Sequence, residues 1–189
     1  MRSRANTYTY RTILHDRPVQ EIIVRTAAGN RQRGWLQLDG RAIPVALGRG
    51  GIRVDKREGD GGTPRGVFHP VRLWWRSDRH ARPRTALPMR HITAADAWSE
   101  DPADRRYNQP IRIKDGEPGD RLKRDDHLYD FIIEIDHNTR PRIPGRGSAV
   151  FLHLARDDFG PTAGCVGMAR EAMLRLLARL SPQTRIVID

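Results

Sequence analysis

A single stretch of this chain carries a helical hydrophobic repeat, and that restricts the fold more than any other feature. Between residues 169 and 180 the apolar positions Ala169, Ala172, Met173, Leu176, Leu177 and Leu180 fall on one helical face, and Ser181-Pro182 stops the run. Elsewhere the apolar runs are short and are cut by 17 Gly and 13 Pro, a composition that favours turns and strands over long helices. The expected class is therefore α+β and β-rich, with one clear helix. With 189 residues, 38% of them hydrophobic, the chain is long enough to bury its own core. We expect one domain over residues 19–189, preceded by a polar, Arg-rich tail or first edge strand at residues 1–18.

The strand signals follow in order. Residues 19–25 (VQEIIVR) read as a strand. Residues 35–38, the Asp39-Gly40 turn and residues 41–47 form the clearest hairpin signal. Residues 48–68 are rich in Gly and charge, but they lack the Gly-Lys-Ser/Thr ending of a phosphate loop and no helix pattern follows. A strand at residues 67–75 places Phe68, Trp74 and Trp75 in the core. Residues 77–126 show little periodicity, and a connection that long suits a functional loop lining a cleft. Trp98 and Tyr107 offer flat contact surfaces there, or else pack the loop onto the body. Residues 127–136 (HLYDFIIEID) predict a central strand, residues 148–154 return beside it, and residues 185–188 (RIVI) close the fold.

The lone cysteine, Cys165, lies in the small-residue turn Thr162-Ala163-Gly164-Cys165, just ahead of the helical repeat. His153 ends the strand before it, and the loop 156–161 can fold back to bring the two together. An imidazole beside a thiol can take its proton, and backbone N–H groups of a tight turn can hold an oxyanion, so the pair suits nucleophilic catalysis. A helix starting just after Cys165 would also bring its positive dipole end near the sulfur. Residue types alone leave open a second reading, in which Cys165 is a small buried hydrophobe and His153 a satisfied strand-end residue. Other sites are poorer. His15, His69, His80, His91, His127 and His137 lack metal-ligand spacing, and one cysteine cannot build a zinc knuckle or an internal disulfide. No nucleotide-binding fingerprint is present, and Asp157-Asp158 reads as a solvated loop. Neither a metal nor a cofactor is expected.

A balance of 34 basic against 23 acidic residues gives a net charge of +11, which attracts polyanions. The basic residues are scattered and no nucleic-acid-binding motif accompanies them, so nucleic acid is not the expected partner. No apolar stretch approaches the length that crosses a membrane, and residues 1–16 contain Arg2, Arg4 and Arg11 without the apolar centre of a secretory signal.

The motifs carry a resemblance. The run Gly145-Arg146-Gly147-Ser148-Ala149-Val150-Phe151-Leu152-His153, followed by Pro161-Thr162-Ala163-Gly164-Cys165-Val166, resembles the L,D-transpeptidase catalytic domain (YkuD-like) family of bacterial cell-wall enzymes, in the branch without a His just before the Gly-Cys pair. The stretch from Glu58 to Phe68, Tyr107-Asn108, and the stretch from Arg124 to Asp130 look like the same branch, so the likeness spans residues 34–189. It implies a β-sandwich-like catalytic domain in which Pro64 and Gly66 set a structural turn. It also implies Cys165 as nucleophile, His153 as base, and the backbone of Ala163, Gly164 and Cys165 as oxyanion hole. Thr162, Arg146, Tyr107 and Asn108 become candidate substrate contacts. The implied reaction is peptidoglycan cross-linking through a Cys thioester, with stem peptides as donor and acceptor and carbapenem-type β-lactams as inhibitors. The implied location is the periplasm or cell envelope. Two positions depart from the wider family. Ala163 stands where many members have His, and Gly167 stands where a polar residue or Arg is common, which leaves the substrate carboxylate without its usual partner and Arg146 as a substitute. Alternatives are an L,D-carboxypeptidase or D-amino-acid exchange enzyme using the same acyl-enzyme, or a non-catalytic basic cell-wall-binding protein.

Overall fold

The computed structural model describes residues 17–189, so the expected tail or edge strand falls almost wholly outside the described residues. In chain order the strands are β1 (Glu21–Ala27), β2 (Asn30–Leu38), β3 (Arg41–Ala46), β4 (Ile52–Arg53), β5 (Thr63–Pro64), β6 (Gly66–Phe68), β7 (Pro70–Trp75), β8 (Met89–His91), β9 (Asp96–Trp98), β10 (Pro110–Arg112), β11 (Asp120–Arg121), β12 (Phe131–Ile135), β13 (Phe151–Leu154) and β14 (Val166–Met168). Helix α1 (Arg170–Leu177) and β15 (Arg185–Ile188) complete the order. Ten strands form one sheet in the order β6-β15-β1-β2-β3-β14-β13-β12-β7-β8, with a three-stranded sheet β10-β9-β11 and a two-stranded pair β4-β5 beside it. Among the described residues the fold is mostly β-sheet with a single helix, as the sequence predicts.

Local chemistry accounts for the elements. Asp39 (φ 52°) and Gly40 (φ 73°) both take positive φ, the two-residue turn whose twist matches its flanking strands, and Leu38 pairs with Arg41 across it. Helix α1 buries Ala172, Met173, Leu176 and Leu177, and each of the three larger side chains contributes about 1.5–3 kcal/mol by leaving water. It is shorter than its hydrophobic repeat, ending at Leu177 with Ala178 as C-cap, although Leu180 is still buried.

The middle of the large sheet is covered on both faces, which explains why β12 (FIIEI) is buried at every position. Phe131, Ile133 and Ile135, with Leu73, Trp75, Leu152 and Leu154 from the neighbouring strands, join the helix in the main core. The alternate positions Trp74, Ile132 and Phe151 point the other way, into a second cluster with Trp98, Leu122 and Cys165. Trp98 belongs to β9, so residues 77–126 are not the long loop expected. They add β8 to the sheet edge and build the three-stranded sheet, whose own small core is Ala97, Ile111 and Ile113. Trp98 and Tyr107 are buried packing residues rather than open contact surfaces.

Candidate active site

Strands β13 and β14 run parallel, with Leu152 opposite Val166 and His153 opposite Gly167. Side chains alternate along a strand, so Phe151, His153 and the residue just before β14, Cys165, all share the face that carries the second cluster. The sequence-predicted pair is thus brought onto one face of adjacent strands, and His153 and Cys165 line the same cavity of about 150 Å³.

The sulfur is held from two sides. Cys165 is buried; its thiol donates to the Ala149 carbonyl at 3.2 Å, and the Phe151 N–H donates to the sulfur at 3.3 Å. Ala149 sits in the left-handed region (φ 50°), and its N–H donates to Asn108 Oδ1 at 3.2 Å. That oxygen also accepts the Trp98 indole N–H at 3.0 Å, while Asn108 Nδ2 donates to the carbonyls of His137 and Asn138, each at 3.0 Å. On the imidazole, Nδ1 lies 2.7 Å from the Leu154 carbonyl oxygen. A carbonyl only accepts, so Nδ1 carries the proton and Nε2 presents a lone pair. The Tyr129 ring and the imidazole meet in a T-shaped contact at a centroid separation of 5.4 Å, and the Tyr129 hydroxyl donates to Asp120 at 2.9 Å.

Burial sets the charge state. Desolvation pushes the Cys165 thiol up to about 12, against a smaller opposing effect of the Phe151 N–H. Desolvation likewise pushes His153 down to about 4, against the hydrogen bond to the Leu154 carbonyl. The resting pair is neutral thiol and neutral imidazole. The helix does not start directly at the thiol, because β14 lies in the chain between Cys165 and the start of α1 at Arg170.

The turn is built by its neighbours. Thr162 Oγ1 donates to the Cys165 carbonyl at 2.7 Å and accepts the Gly164 N–H at 3.1 Å, so this side chain shapes the turn from within. Behind it, the Gly-rich loop after β3 comes into backbone contact. The Arg49 N–H donates to the Thr162 carbonyl and the Thr162 N–H to the Leu47 carbonyl, both at 2.9 Å, and the Gly48 N–H donates to Thr63 Oγ1 at 2.8 Å. Gly164 has φ 146°, and a Cβ there would stand 2.8 Å from the Gly62 carbonyl oxygen. Glycine is what the close approach requires.

The other predicted contacts lie elsewhere. Tyr107 and Asn108 are buried behind the cavity; the Tyr107 hydroxyl and Ser148 Oγ both donate to Glu58 Oε2, the latter at 2.7 Å. Arg146 is exposed, paired with Asp55 and absent from the cavity wall. Three residues that sequence reasoning gave no role do line it: Arg124, Tyr129 and Arg156. The first and second stand in the stretch from Arg124 to Asp130 already singled out, whereas nothing in the sequence distinguishes Arg156 from the many other arginines.

The model of the L,D-transpeptidase catalytic domain family (YkuD) matches residues 20–188. No curated protein matches the chain. Among solved structures, it is similar to Mycobacterium tuberculosis L,D-transpeptidase 1 at 13% identity and a TM-score of 0.39, covering 89% of this chain and 59% of that one. It is also similar to L,D-transpeptidase 3 from Mycobacterium tuberculosis, solved in complex with a faropenem-derived adduct, at 11% identity and a TM-score of 0.41, covering 89% of this chain and 60% of that one. The chain therefore spans about six tenths of the length of these structures.

Proposed function

The chain belongs to the L,D-transpeptidase catalytic domain family, and from that membership we propose that it cross-links peptidoglycan stem peptides through a thioester on Cys165. One observation carries the reading. His153 and Cys165 share a cavity on one face of paired strands, with the Leu154 carbonyl holding the imidazole in the tautomer that leaves Nε2 free.

The chemistry follows from a pair that is neutral at rest. As Sγ attacks the carbonyl carbon of the donor's diamino acid, Nε2 takes the thiol proton; the S–C bond forms and the carbonyl electrons move to oxygen. The Gly164 N–H is already engaged by Thr162, so the N–H groups of Ala163 and Cys165 are the donors we assign to that oxyanion. Each such donor is worth about 2.7–4 kcal/mol in the transition state. Collapse breaks the C–N bond, and the imidazolium gives its proton to the departing amine of the terminal D-residue. An amine of a second stem then attacks the thioester, passes its proton to Nε2, and the S–C bond breaks to return the thiol. Water in place of that amine gives L,D-carboxypeptidase activity. A peptidoglycan substrate places the work in the cell envelope; among the described residues no helix is long and apolar enough to cross a membrane.

Intact-mass spectrometry of wild type and Cys165→Ala, incubated with disaccharide-tetrapeptide and separately with a carbapenem, tests the proposal. The expected result is an adduct on wild type alone and cross-linked dimer from the peptide. Trimmed peptide without dimer would move the assignment to the carboxypeptidase. Folded, reduced wild type that gains no adduct from either reagent would end the acyl-transfer reading and leave a basic wall-binding protein.

A further inference from the structure

We infer that Arg156 is the carboxylate-recognising residue of the catalytic cavity and that it selects donor peptides ending in a free α-carboxylate; this rests on the acyl-transfer reading above. The argument starts from a position that cannot serve. Gly167 faces the same side as His153 but carries no side chain, and a Cβ there would already press on Ala155 Cα at 3.3 Å. A cation for the substrate must enter from elsewhere.

The cavity wall supplies two. Its ionisable side chains, apart from Tyr129 and the Cys-His pair, are Arg124 and Arg156, and no carboxylate lines it. Arg124 is already committed. Its Nε and Nη2 donate to the Asp126 carboxylate at 3.0 and 2.8 Å, and its guanidinium lies 5.0 Å from the centre of the Tyr129 ring. The Arg156 guanidinium has no hydrogen-bond or ion-pair partner among the described residues, while its backbone carbonyl accepts the Phe159 N–H at 2.9 Å. Its root is nonetheless fixed, because the Ala155 N–H donates to the Met168 carbonyl at 2.8 Å and His127 Nε2 donates to the Ala155 carbonyl at 2.9 Å. The result is an anchored backbone carrying an unspent guanidinium. That side chain also lines a neighbouring groove of about 450 Å³ with Phe159 and Arg170, so it stands on the divide between the two spaces.

Substrate geometry selects the ligand. In a peptide that loses its last residue, the terminal carboxylate lies three bonds from the scissile carbonyl carbon, so whatever holds it must line the same small cavity as the attacking sulfur. A guanidinium fork matches a carboxylate with two parallel hydrogen bonds and would fix the scissile carbonyl over Sγ.

The test compares disaccharide-tetrapeptide donors ending in a free acid or in a primary amide, reading kcat/KM from release of the terminal residue. Wild type is expected to prefer the acid by roughly ten- to hundred-fold. Arg156→Gln should bring that ratio to within about two-fold of unity, Arg156→Lys should keep part of it, and Arg170→Gln in the adjoining groove should keep all of it. A wild-type ratio near unity, or one that survives Arg156→Gln unchanged, overturns the assignment. Should the Gln variant fail to fold, a lysine variant with the full wild-type ratio and rate overturns it equally, since a point charge cannot replace the fork. Wild type that forms no acyl-enzyme with the acid donor takes down the acyl-transfer reading itself, whereas an acyl-enzyme with an unaltered ratio removes only Arg156.

Discussion

Asn108 never reaches the cavity, yet it organises the residue that does. Its carboxamide oxygen holds the N–H of Ala149, and the Ala149 carbonyl in turn receives the Cys165 thiol. Left-handed backbone costs an alanine roughly 1–2 kcal/mol, and the surrounding hydrogen bonds offset it. Asn108→Ala would strand a buried indole N–H and a buried backbone N–H, and leave two part-buried carbonyls without this donor. We expect a loss of at least about 1–3 kcal/mol in urea-induced unfolding. The carbapenem acylation rate of the surviving folded protein should also drop, which loss of stability alone would not produce. Unchanged acylation would show that the thiol does not depend on this chain of contacts.

Among the elements, the turn that carries Cys165 has no independent shape; it is moulded between Thr162 and the loop that follows β3. Gly48 shows how tightly. A Cβ there would meet the Gly61 carbonyl oxygen at 2.2 Å, the Thr63 nitrogen at 2.9 Å and Gly164 Cα at 3.0 Å. Gly48→Ala should therefore lower stability by about 1–3 kcal/mol and also slow Cys165 acylation, although residue 48 does not line the cavity. Gly29→Ala is the control. Its φ is 76°, which an alanine adopts only under strain, but a Cβ would meet nothing within 4 Å, so a melting-temperature loss without slower acylation is expected. Equal acylation in both variants would separate the loop from the turn. The same loop shows what sequence patterns miss. In the sequence its glycines mark only a Gly-rich stretch, and their purpose, letting backbone segments touch, is visible only when Gly48 and Gly62 stand against Gly164 of the turn. Strand β14 was illegible for a related reason: three residues, one of them Gly167, cannot show a period.

At the scale of the whole molecule, burial of neutral histidines couples folding to pH. His153 and His137 are both pushed down to about 4 by desolvation, whereas an unfolded histidine titrates near 6.5. Between about 4 and 6.5 the unfolded chain binds more protons, so stability rises with pH through that window and is lost as pH falls through it. Burial also raises Glu100 to about 7, which acts in the opposite direction between about 4.5 and 7, so the histidine contribution is read as a difference between variants. His137→Gln should lose less melting temperature than wild type between pH 7 and 4.5, and identical losses would mean that the His137 imidazole reaches solvent. The broad architecture was legible because the hairpin at Asp39-Gly40, the apolar face of α1 and the order of His153 and Cys165 are local signals. The role of residues 77–126 was not, because strands of two or three residues find their partners across distant segments, as Ala97 does with Ile111. That Arg156 rather than Arg146 lines the cavity with Cys165 was hidden likewise, since only the folded chain shows it. The way Cys165 is kept also bears on how long the protein stays usable. Peroxide attacks thiolates, and this sulfur is protonated, enclosed and tied to a carbonyl. Oxidation of Cys165 to a sulfenic acid by peroxide should therefore be slow in the folded protein and fast only once unfolding frees the thiol.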